Sequence, residues 1–252
     1  MKKIILTALA AVAYCTASAQ FNLQLHYDLG SSLYDIESGR QKATITAEYF
    51  RADRLGSTYL FIDLDQNGKG MGGNIGAYAE IGRDFTFANI KNSNSSLTAH
   101  IEYDGGLSAS GGVFQPAALL GPTYQWHSND FSKTFTLQLL YKQFFKHGSC
   151  NAVSGFQVTP VWGITFADGL CTFSGFADLW YGYIPQFGSD GQKKGLVFLS
   201  EPQFWVNVLG KDRQNDKFSI GTEIELSNNF IWSDNLDKHF FINPTLAVKY
   251  TF

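Results

Sequence analysis

The 252-residue sequence predicts an all-β protein, a transmembrane antiparallel β-barrel of twelve strands with both termini in the periplasm. Three features predict this fold. The chain begins with an export signal, apolar and polar residues alternate over almost all of its remaining length, and its last strand ends in an aromatic residue. Exported chains that cross a membrane by strands reside in the cell outer membrane, so we expect that location.

The export signal occupies residues 1–19. A basic start, MKK, precedes about a dozen apolar residues and the small-residue sequence ASA, which is the pattern of a cleavable signal peptide. No later stretch is continuously apolar over the roughly 18 residues that a transmembrane helix needs. Cys15 leaves a lipoprotein signal open as an alternative, although Tyr14 stands where such signals carry a small residue. The rest of the chain, residues 20–252, is then a single outer-membrane barrel domain.

Alternation of apolar and polar residues defines the strands. In residues 21–29, FNLQLHYDL, the apolar side chains fall on one face and the polar ones on the other. Each such segment is about ten residues long, the length that a tilted strand needs to cross a membrane. The predicted strands are 21–30, 42–52, 57–66, 74–84, 97–105, 115–126, 134–145, 153–166, 170–183, 196–208, 218–228 and 240–252. A soluble β-sandwich also alternates, but its strands are shorter and its packing would bury the many charges found here.

The connections between the predicted strands alternate in length. Those after odd-numbered strands are long and polar or glycine-rich, as in DQNGKGMGG, and most of those after even-numbered strands are short, as in ADRLG. Long external loops and short periplasmic turns are typical of outer-membrane barrels, which is why we expect both termini in the periplasm. Two connections, 85–96 and 209–217, are long for turns and are predicted to extend the neighbouring strands.

Four prolines lie inside predicted even-numbered strands, spaced about one hairpin apart. They are Pro122, Pro160, Pro202 and Pro244. Because proline lacks the donor that a strand ladder needs, we predict that these positions are β-bulges.

The last strand carries a terminal pattern of its own. Phe252 closes an alternating strand that includes Tyr250 and Val248. This pattern resembles the signal that outer-membrane barrels present to the barrel-assembly machinery, so we expect that machinery and outer-membrane lipid as partners. Of the three cysteines, Cys150 and Cys171 follow the signal peptide. The predicted strands place these two near opposite ends of the barrel, which predicts free thiols.

The lumen face follows from the alternation, because the polar side of each strand must line the interior if the apolar side faces lipid. Twelve lumen residues are predicted to contact a solute: the acids Asp28, Glu48, Asp63, Glu80, Glu102, Asp178, Glu201 and Glu223, and the aromatics Tyr59, Tyr78, Trp180 and Trp205. An acidic lumen disfavours anions such as nucleotides, and aromatic rings stack on nucleobases or sugars. In the alternative interpretation, the charges pair with one another and plug a narrow barrel.

Signals for other functions are weak. The net charge of −3 gives no support for nucleic-acid binding. His127 and Ser128 are residue types of a hydrolase, but as neighbours in a strand they would point to opposite faces. The sequence contains no zinc spacing, phosphate loop or nucleophile elbow. We therefore predict no catalytic residue, no metal site and no cofactor.

Several segments resemble a family of Bacteroides-type outer-membrane proteins known as a domain of unknown function. They are FNLQLHYDLG, GSTYLFIDLD, GAYAEIGRDF, LTAHIEYDGG and LLGPTYQWHSNDFSKTFTLQLLYK. That family is similar, more distantly, to the Tsx-like nucleoside-specific channels. The resemblance covers nearly all of the chain after the signal peptide, and it implies a twelve-stranded monomeric barrel with a narrow pore for nucleosides.

Three functions are consistent with these patterns. The first is a narrow passive channel for small neutral or cationic solutes such as nucleosides. The second is a non-transporting barrel with a self-plugged lumen and a structural or surface role. The third, an outer-membrane lipid hydrolase, requires a serine–histidine pair that the sequence does not contain in the expected spacing.

Overall fold

A computed structural model describes residues 19–34, 41–66, 75–91, 93–107, 113–148, 150–184, 193–209, 218–231 and 239–252. The predicted signal peptide lies outside these residues except for Ala19, and it stays a prediction. The strands are β1 (Ala19–Asp28), β2 (Ala43–Asp53), β3 (Gly56–Gln66), β4 (Ile75–Ile90), β5 (Ser95–Leu107), β6 (Val113–His127), β7 (Lys133–Phe144), β8 (Val153–Phe166), β9 (Cys171–Tyr183), β10 (Lys194–Ser200), β11 (Gln203–Asn207), β12 (Phe218–Asn228) and β13 (Phe240–Thr251), with one short helix, α1 (Gly30–Leu33), after β1. No helix in the described residues is long and apolar enough to span a membrane.

The strands form one closed antiparallel sheet. Consecutive strands pair, and β1 closes the barrel by pairing with β13. The segments β10 and β11 are two parts of one interrupted strand, because each pairs with both β9 and β12. The thirteen hydrogen-bonded segments therefore make the twelve membrane-crossing strands that the sequence predicts. A closed single sheet also rules out the two-sheet sandwich.

Side-chain exposure separates the two faces of the wall. On β1, Leu25 is 48% exposed whereas its neighbour His26 is 3% exposed, and on β7 Leu139 and Lys142 are 51% and 7% exposed. The apolar side chains thus cover the outside and the polar ones lie inside. This is the alternation that a barrel in a lipid bilayer requires, and it confirms the predicted assignment of faces.

The start of β1 and the end of β13 lie at one end of the barrel, which we call the terminal end; the opposite end is the loop end. The short turns of the even-numbered strands, such as 128–132 and 167–170, are at the terminal end. The long connection 85–96 is largely strand, since β4 runs to Ile90 and β5 begins at Ser95, as predicted. Connection 210–217 lies outside the described residues. Cys150 and Cys171 are free thiols at opposite ends, as predicted.

The prediction that the prolines mark bulges was wrong. Around Pro122, pairing with β7 stops after Leu120 and resumes at Thr123 in the same register. Pairing of β8 with β9 stops in the same way at Pro160, and pairing of β13 with β12 stops at Thr245 and Leu246, next to Pro244. At Pro202 the interruption separates β10 from β11. Proline removes a hydrogen-bond donor without inserting a residue, so the bonds are lost and the register is kept.

Register shifts do occur, but elsewhere. One lies between Thr86 and Ala88 of β4, and another lies between Asp104 and Gly106 of β5. At the second shift, Gly106 pairs with Phe114 of β6. The shift brings Phe114 onto the lumen side, where its ring lies 5.4 Å from that of Tyr78.

Candidate functional site

All twelve predicted solute-contact residues lie on the lumen side of the wall. The cross-strand pairs show this directly, since Phe61 pairs with both Glu48 and Glu80, and Asp63 pairs with Tyr78. The same ladder places seven other predicted positions on this face: Asp28, Tyr59, Glu102, Asp178, Trp180, Trp205 and Glu223. Glu201 lies between β10 and β11, and its backbone N–H donates to the carbonyl of Phe176, which shares a face with Asp178. Their contact with a solute remains a prediction. The structure adds Asp84, which the alternation of β4 could have revealed, and Phe114, which only the register shift exposes.

The lumen face of β5–β8, which we call the packed wall, carries many buried side chains. Its buried residues are Thr98, His100, Asp104, Ala117, Leu119, Thr123, Leu140, Lys142, Val153, Gln157 and Thr159. Ala117, Leu119 and Leu140 form a small apolar cluster, against which Phe144 packs. Aliphatic residues inside the barrel were not anticipated, because the sequence pattern alone assigns every leucine of an alternating strand to lipid.

Histidine and carboxylates alternate at one edge of the packed wall. His100 Nδ1 lies 3.1 Å from Asp84 Oδ1, and its Nε2 lies 3.0 Å from Glu102 Oε2. The hydroxyl of Thr98 donates a second hydrogen bond to Asp84 at 2.9 Å. Both imidazole nitrogens donate only in the protonated ring, so this geometry fits an imidazolium held between two carboxylates.

A lysine continues this network across the packed wall. Lys142 Nζ lies 3.1 Å from Asp104 Oδ2 and donates to Gln157 at 2.7 Å. Gln157 donates to Thr159, which in turn donates to Asp178 on β9. The acids along this wall therefore each have a cationic or hydroxyl partner.

The lumen face of β13 and β1 is a second buried region. His26 Nε2 contacts Gln24 Oε1 at 2.9 Å, and its Nδ1 contacts the hydroxyl of Thr245 at 3.2 Å. That hydroxyl accepts a bond from the Glu223 backbone N–H, which leaves its hydrogen free to donate to His26. The neutral ring thus satisfies both of its nitrogens here.

The lumen face of β2 and β3, together with Tyr78 and Glu80 of β4, differs from both buried regions, and we call it the open wall. None of its described side chains from β2 and β3 is buried, and the same holds for Tyr78 and Glu80 of β4. Asp63 accepts a hydrogen bond from Thr46 at 2.6 Å, and Glu80 accepts one from Tyr78 at 2.8 Å. Within the described part of the chain, neither acid forms an ion pair.

Aromatic rings follow one another along the open wall. The ring of Phe61 lies 5.8 Å from that of Tyr59 and 5.9 Å from that of Tyr78, and Tyr78 contacts Phe114. We call these four residues the aromatic ladder. It runs from the terminal end, where β3 begins, to the loop end, where β6 begins. The ladder and the acids beside it make a surface that can hold rings and hydrogen-bond donors together.

One acidic cluster lies where the open and packed walls meet. Carboxylate oxygens of Glu80, Glu102 and Asp104 lie within 4.8 Å of one another. The Lys142 ammonium, 3.1 Å from Asp104, supplies positive charge at this point. The prediction that the chain binds no metal stays a prediction.

The turn that contains the hydrolase-type residues is held by serine–aspartate hydrogen bonds. Ser128 Oγ donates to Asp130 at 2.6 Å, whereas His127 Nδ1 contacts the backbone oxygen of Ser128. Hydrogen bonds from Ser128 and Ser132 hold the pKa of the exposed Asp130 carboxyl well below its usual range. The hydroxyl is thus directed to the carboxylate and not to an imidazole.

The comparisons with known proteins agree with this architecture. A family model described as a domain of unknown function, DUF5020, matches residues 19–252. No curated protein matches the sequence. The solved NanC porin is similar over 91% of this chain and 98% of its own, with a TM-score of 0.56 and 8% identity. The solved KdgM porin is similar over 92% of this chain and 99% of its own, with a TM-score of 0.49 and 11% identity. LpxR from Salmonella typhimurium is similar over 92% of this chain and 100% of its own, with a TM-score of 0.44 and 9% identity.

At 8% identity, the likeness to the NanC porin shows the fold. The fold is a porin-like outer-membrane β-barrel, so the predicted fold class and location in the outer membrane are confirmed. The similarity to nucleoside-specific channels, the nucleoside preference and the orientation of the termini stay predictions.

Proposed function

The chain belongs to the DUF5020 family, and we propose that it is a narrow passive channel for small neutral or cationic solutes. The observation that carries the proposal is the open wall. Asp63 and Glu80 face the lumen there with hydroxyl groups as hydrogen-bond partners, and neither forms an ion pair within the described residues. Carboxylates of this kind attract cations, admit neutral solutes and repel anions.

Nucleosides are the leading candidates among such solutes. The aromatic ladder offers ring faces for a base, and the neighbouring carboxylates offer acceptors for its amino and ribose hydroxyl groups. A nucleoside carries no phosphate, so the acidic lumen does not repel it. The distant similarity to Tsx-like channels, which the sequence predicts, leads to the same choice.

A self-plugged barrel is the second candidate, and the packed wall favours it. The network from Asp84 through His100, Lys142 and Gln157 to Asp178 crosses six strands of the wall. In this interpretation the network fills the lumen and leaves no route for a solute, and the protein serves a structural or surface role. A catalytic role is not part of either proposal, since Ser128 donates to Asp130.

The C-terminal strand carries a separate proposal about assembly. Phe252 is 62% exposed, and its ring lies 5.3 Å from Phe21 and 4.9 Å from Tyr250 at the terminal end of the wall. We propose that the barrel-assembly machinery recognises this edge through Phe252. Deleting Phe252 should lower the amount of folded barrel in the outer membrane, whereas the matched exposed substitution Phe131→Ala in a turn should not.

Single-channel recording in planar bilayers tests the channel. The purified protein should give small, steady conductance, with a reversal potential in a salt gradient that indicates cation preference. Adenosine should block the current, and Phe61→Ala should weaken the block more than Phe156→Ala, which removes a ring from the lipid face. Absence of both conductance and solute uptake in liposome swelling would overturn the channel and favour the plugged barrel.

A further inference from the structure

A small pocket opens at the terminal end of the lumen. Its volume is about 220 Å³, and it is lined by Gln20, Asn22, Glu48, Tyr49, Phe50, Tyr59 and Lys249. Gln20 and Phe50 are exposed there, so the pocket is accessible from the solvent at this end. Its lining includes one carboxylate, one ammonium and three aromatic residues, of which Phe50 and Tyr59 lie at the end of the open wall. We call it the terminal pocket.

The ammonium of Lys249 has unused hydrogen-bonding capacity. Its Nζ lies 4.2 Å from the centre of the Trp205 ring. It forms no ion pair with any residue in the described ranges, in contrast to Lys142, which is bound to Asp104 and Gln157. An ammonium carries three N–H donors, and a carboxylate would accept hydrogen bonds from them, whereas the face of an aromatic ring offers no such acceptor atom.

The carboxylate of Glu48 is also only partly used. Its Oε2 accepts a hydrogen bond from Asn22 Nδ2 at 2.9 Å. Glu48 lies on β2 and Lys249 on β13, on either side of β1, where Asn22 pairs with Glu48 and Gln24 pairs with Lys249. Two strand spacings, about 10 Å, therefore separate the two backbones. The two charges share a pocket without forming a pair.

A solute with both charges would fit between these side chains. Both side chains line the same pocket of about 220 Å³, and an α-amino acid carries its ammonium and its carboxylate on one carbon, so it can form a charge-assisted hydrogen bond with each of them. The rings of Phe50, which is 46% exposed, and Tyr59 offer apolar surface beside the charges. A purely cationic solute would leave Lys249 opposed by a like charge, and a purely anionic one would do the same to Glu48.

We propose that the terminal pocket binds small zwitterionic solutes of the amino-acid class. The solute carboxylate accepts hydrogen bonds from Lys249, its ammonium donates to Glu48, and its side chain lies against Phe50 and Tyr59. This inference rests on the proposed function, because the pocket lies at one entrance of the proposed channel. A zwitterion has no net charge, and the acidic lumen beyond the pocket would admit it.

Calorimetric titration of the detergent-solubilised full barrel tests the pocket independently of conduction. L-leucine is the probe, with isopentylamine, which lacks the carboxylate, and isocaproate, which lacks the amine, as matched comparators. L-leucine should bind at least about tenfold more tightly than either comparator. Lys249→Gln and Glu48→Gln should each weaken L-leucine binding about tenfold, while Lys42→Gln, the same change on an exposed lysine at the loop end, should not.

The outcomes separate this inference from the proposed channel. If the barrel conducts and L-leucine does not bind, or if it binds equally to Lys249→Gln and wild type, the terminal pocket proposal fails and the channel stands. If L-leucine binds with the expected pattern and the barrel does not conduct, the channel fails and the pocket stands. Each variant is first shown to keep the electrophoretic mobility of the folded barrel, so that a lost signal is not lost folding.

Discussion

The open and packed walls of the lumen carry the same kinds of residues and use them differently. On the packed wall, Asp104 is bound to Lys142, and Glu102 shares His100 with Asp84. On the open wall, Asp63 accepts a hydrogen bond from the hydroxyl of Thr46, and Glu80 accepts one from the hydroxyl of Tyr78. Asp84, Glu102 and Asp104 thus have cationic partners on the packed wall, whereas Asp63 and Glu80 have hydroxyl partners on the open wall.

The difference follows from the cost of burying charge. A carboxylate removed from water requires a cationic or multiply hydrogen-bonded partner, since isolated buried charge costs several kcal/mol. A carboxylate that water still reaches requires none. The partnered acids are therefore structural, and the acids with hydroxyl partners alone are the ones free to act on a solute.

Removing the ammonium of the packed wall should give the largest effect. Lys142→Met leaves Asp104 buried without its cation, and should lower the free energy of unfolding by about 3–5 kcal/mol. Urea unfolding in detergent micelles measures this change. The double variant Lys142→Met/Asp104→Asn should recover most of the lost unfolding free energy, because it removes the unpaired carboxylate as well. As a control, Lys249→Met should lower the unfolding free energy by only about 1 kcal/mol, because the Lys249 ammonium contacts a ring face. A loss below about 1 kcal/mol for Lys142→Met would mean that the packed wall does not depend on this charge.

The two buried histidines should respond unequally to the same substitution. His100→Gln removes two hydrogen bonds to carboxylates and should cost about 2–3 kcal/mol of unfolding free energy. His26→Gln removes bonds to an amide and a hydroxyl and should cost about 1 kcal/mol. The same urea titrations compare the two variants. Equal losses would contradict the assignment of the charged ring to His100.

Ion selectivity should depend on the open wall and not on the packed one. Asp63→Asn with Glu80→Gln should lower the ratio of cation to anion permeability about threefold, because two carboxylates facing water are lost. Asp84→Asn, a lumen acid held by Thr98 and His100, should leave the ratio unchanged while it lowers stability. Reversal potentials in a salt gradient measure the ratio. A larger change from Asp84→Asn would reverse the roles assigned to the walls.

Removing the Asp130 carboxylate, which lies outside both walls, should have the smallest effect on stability and serves as a baseline for the comparison. Hydrogen bonds lower the pKa of Asp130 in the folded protein, so they add stability that is fully present above the unfolded pKa of about 4 and is lost as the pH falls toward the folded value. Asp130→Asn should abolish this dependence. Unfolding midpoints of both proteins between about pH 7 and pH 3 should converge on acidification. A gap that widens toward low pH would contradict the assignment.

Much of the site could be predicted because a strand has a period of two residues. Once β1 is known to place His26 inside, Gln24 and Asp28 must share its face. The same rule placed all twelve predicted residues in the lumen. It failed at Phe114, because one register shift moved that ring from one face to the other. It also gave no warning of Leu119 and Leu140, whose apolar side chains fill the packed wall.

The sequence by itself determined the barrel, the number of its strands and the acidic character of its lumen, since these depend on local alternation and composition. Only the tertiary structure decided which acids are compensated. Lys142 meets Asp104 across strands that lie far apart in the chain, and Thr46 meets Asp63 through the β2–β3 register. Register and closure bring such pairs together, and neither is a property of any single segment. That is why the open wall, and with it the proposed route for a solute, became visible only in the folded barrel.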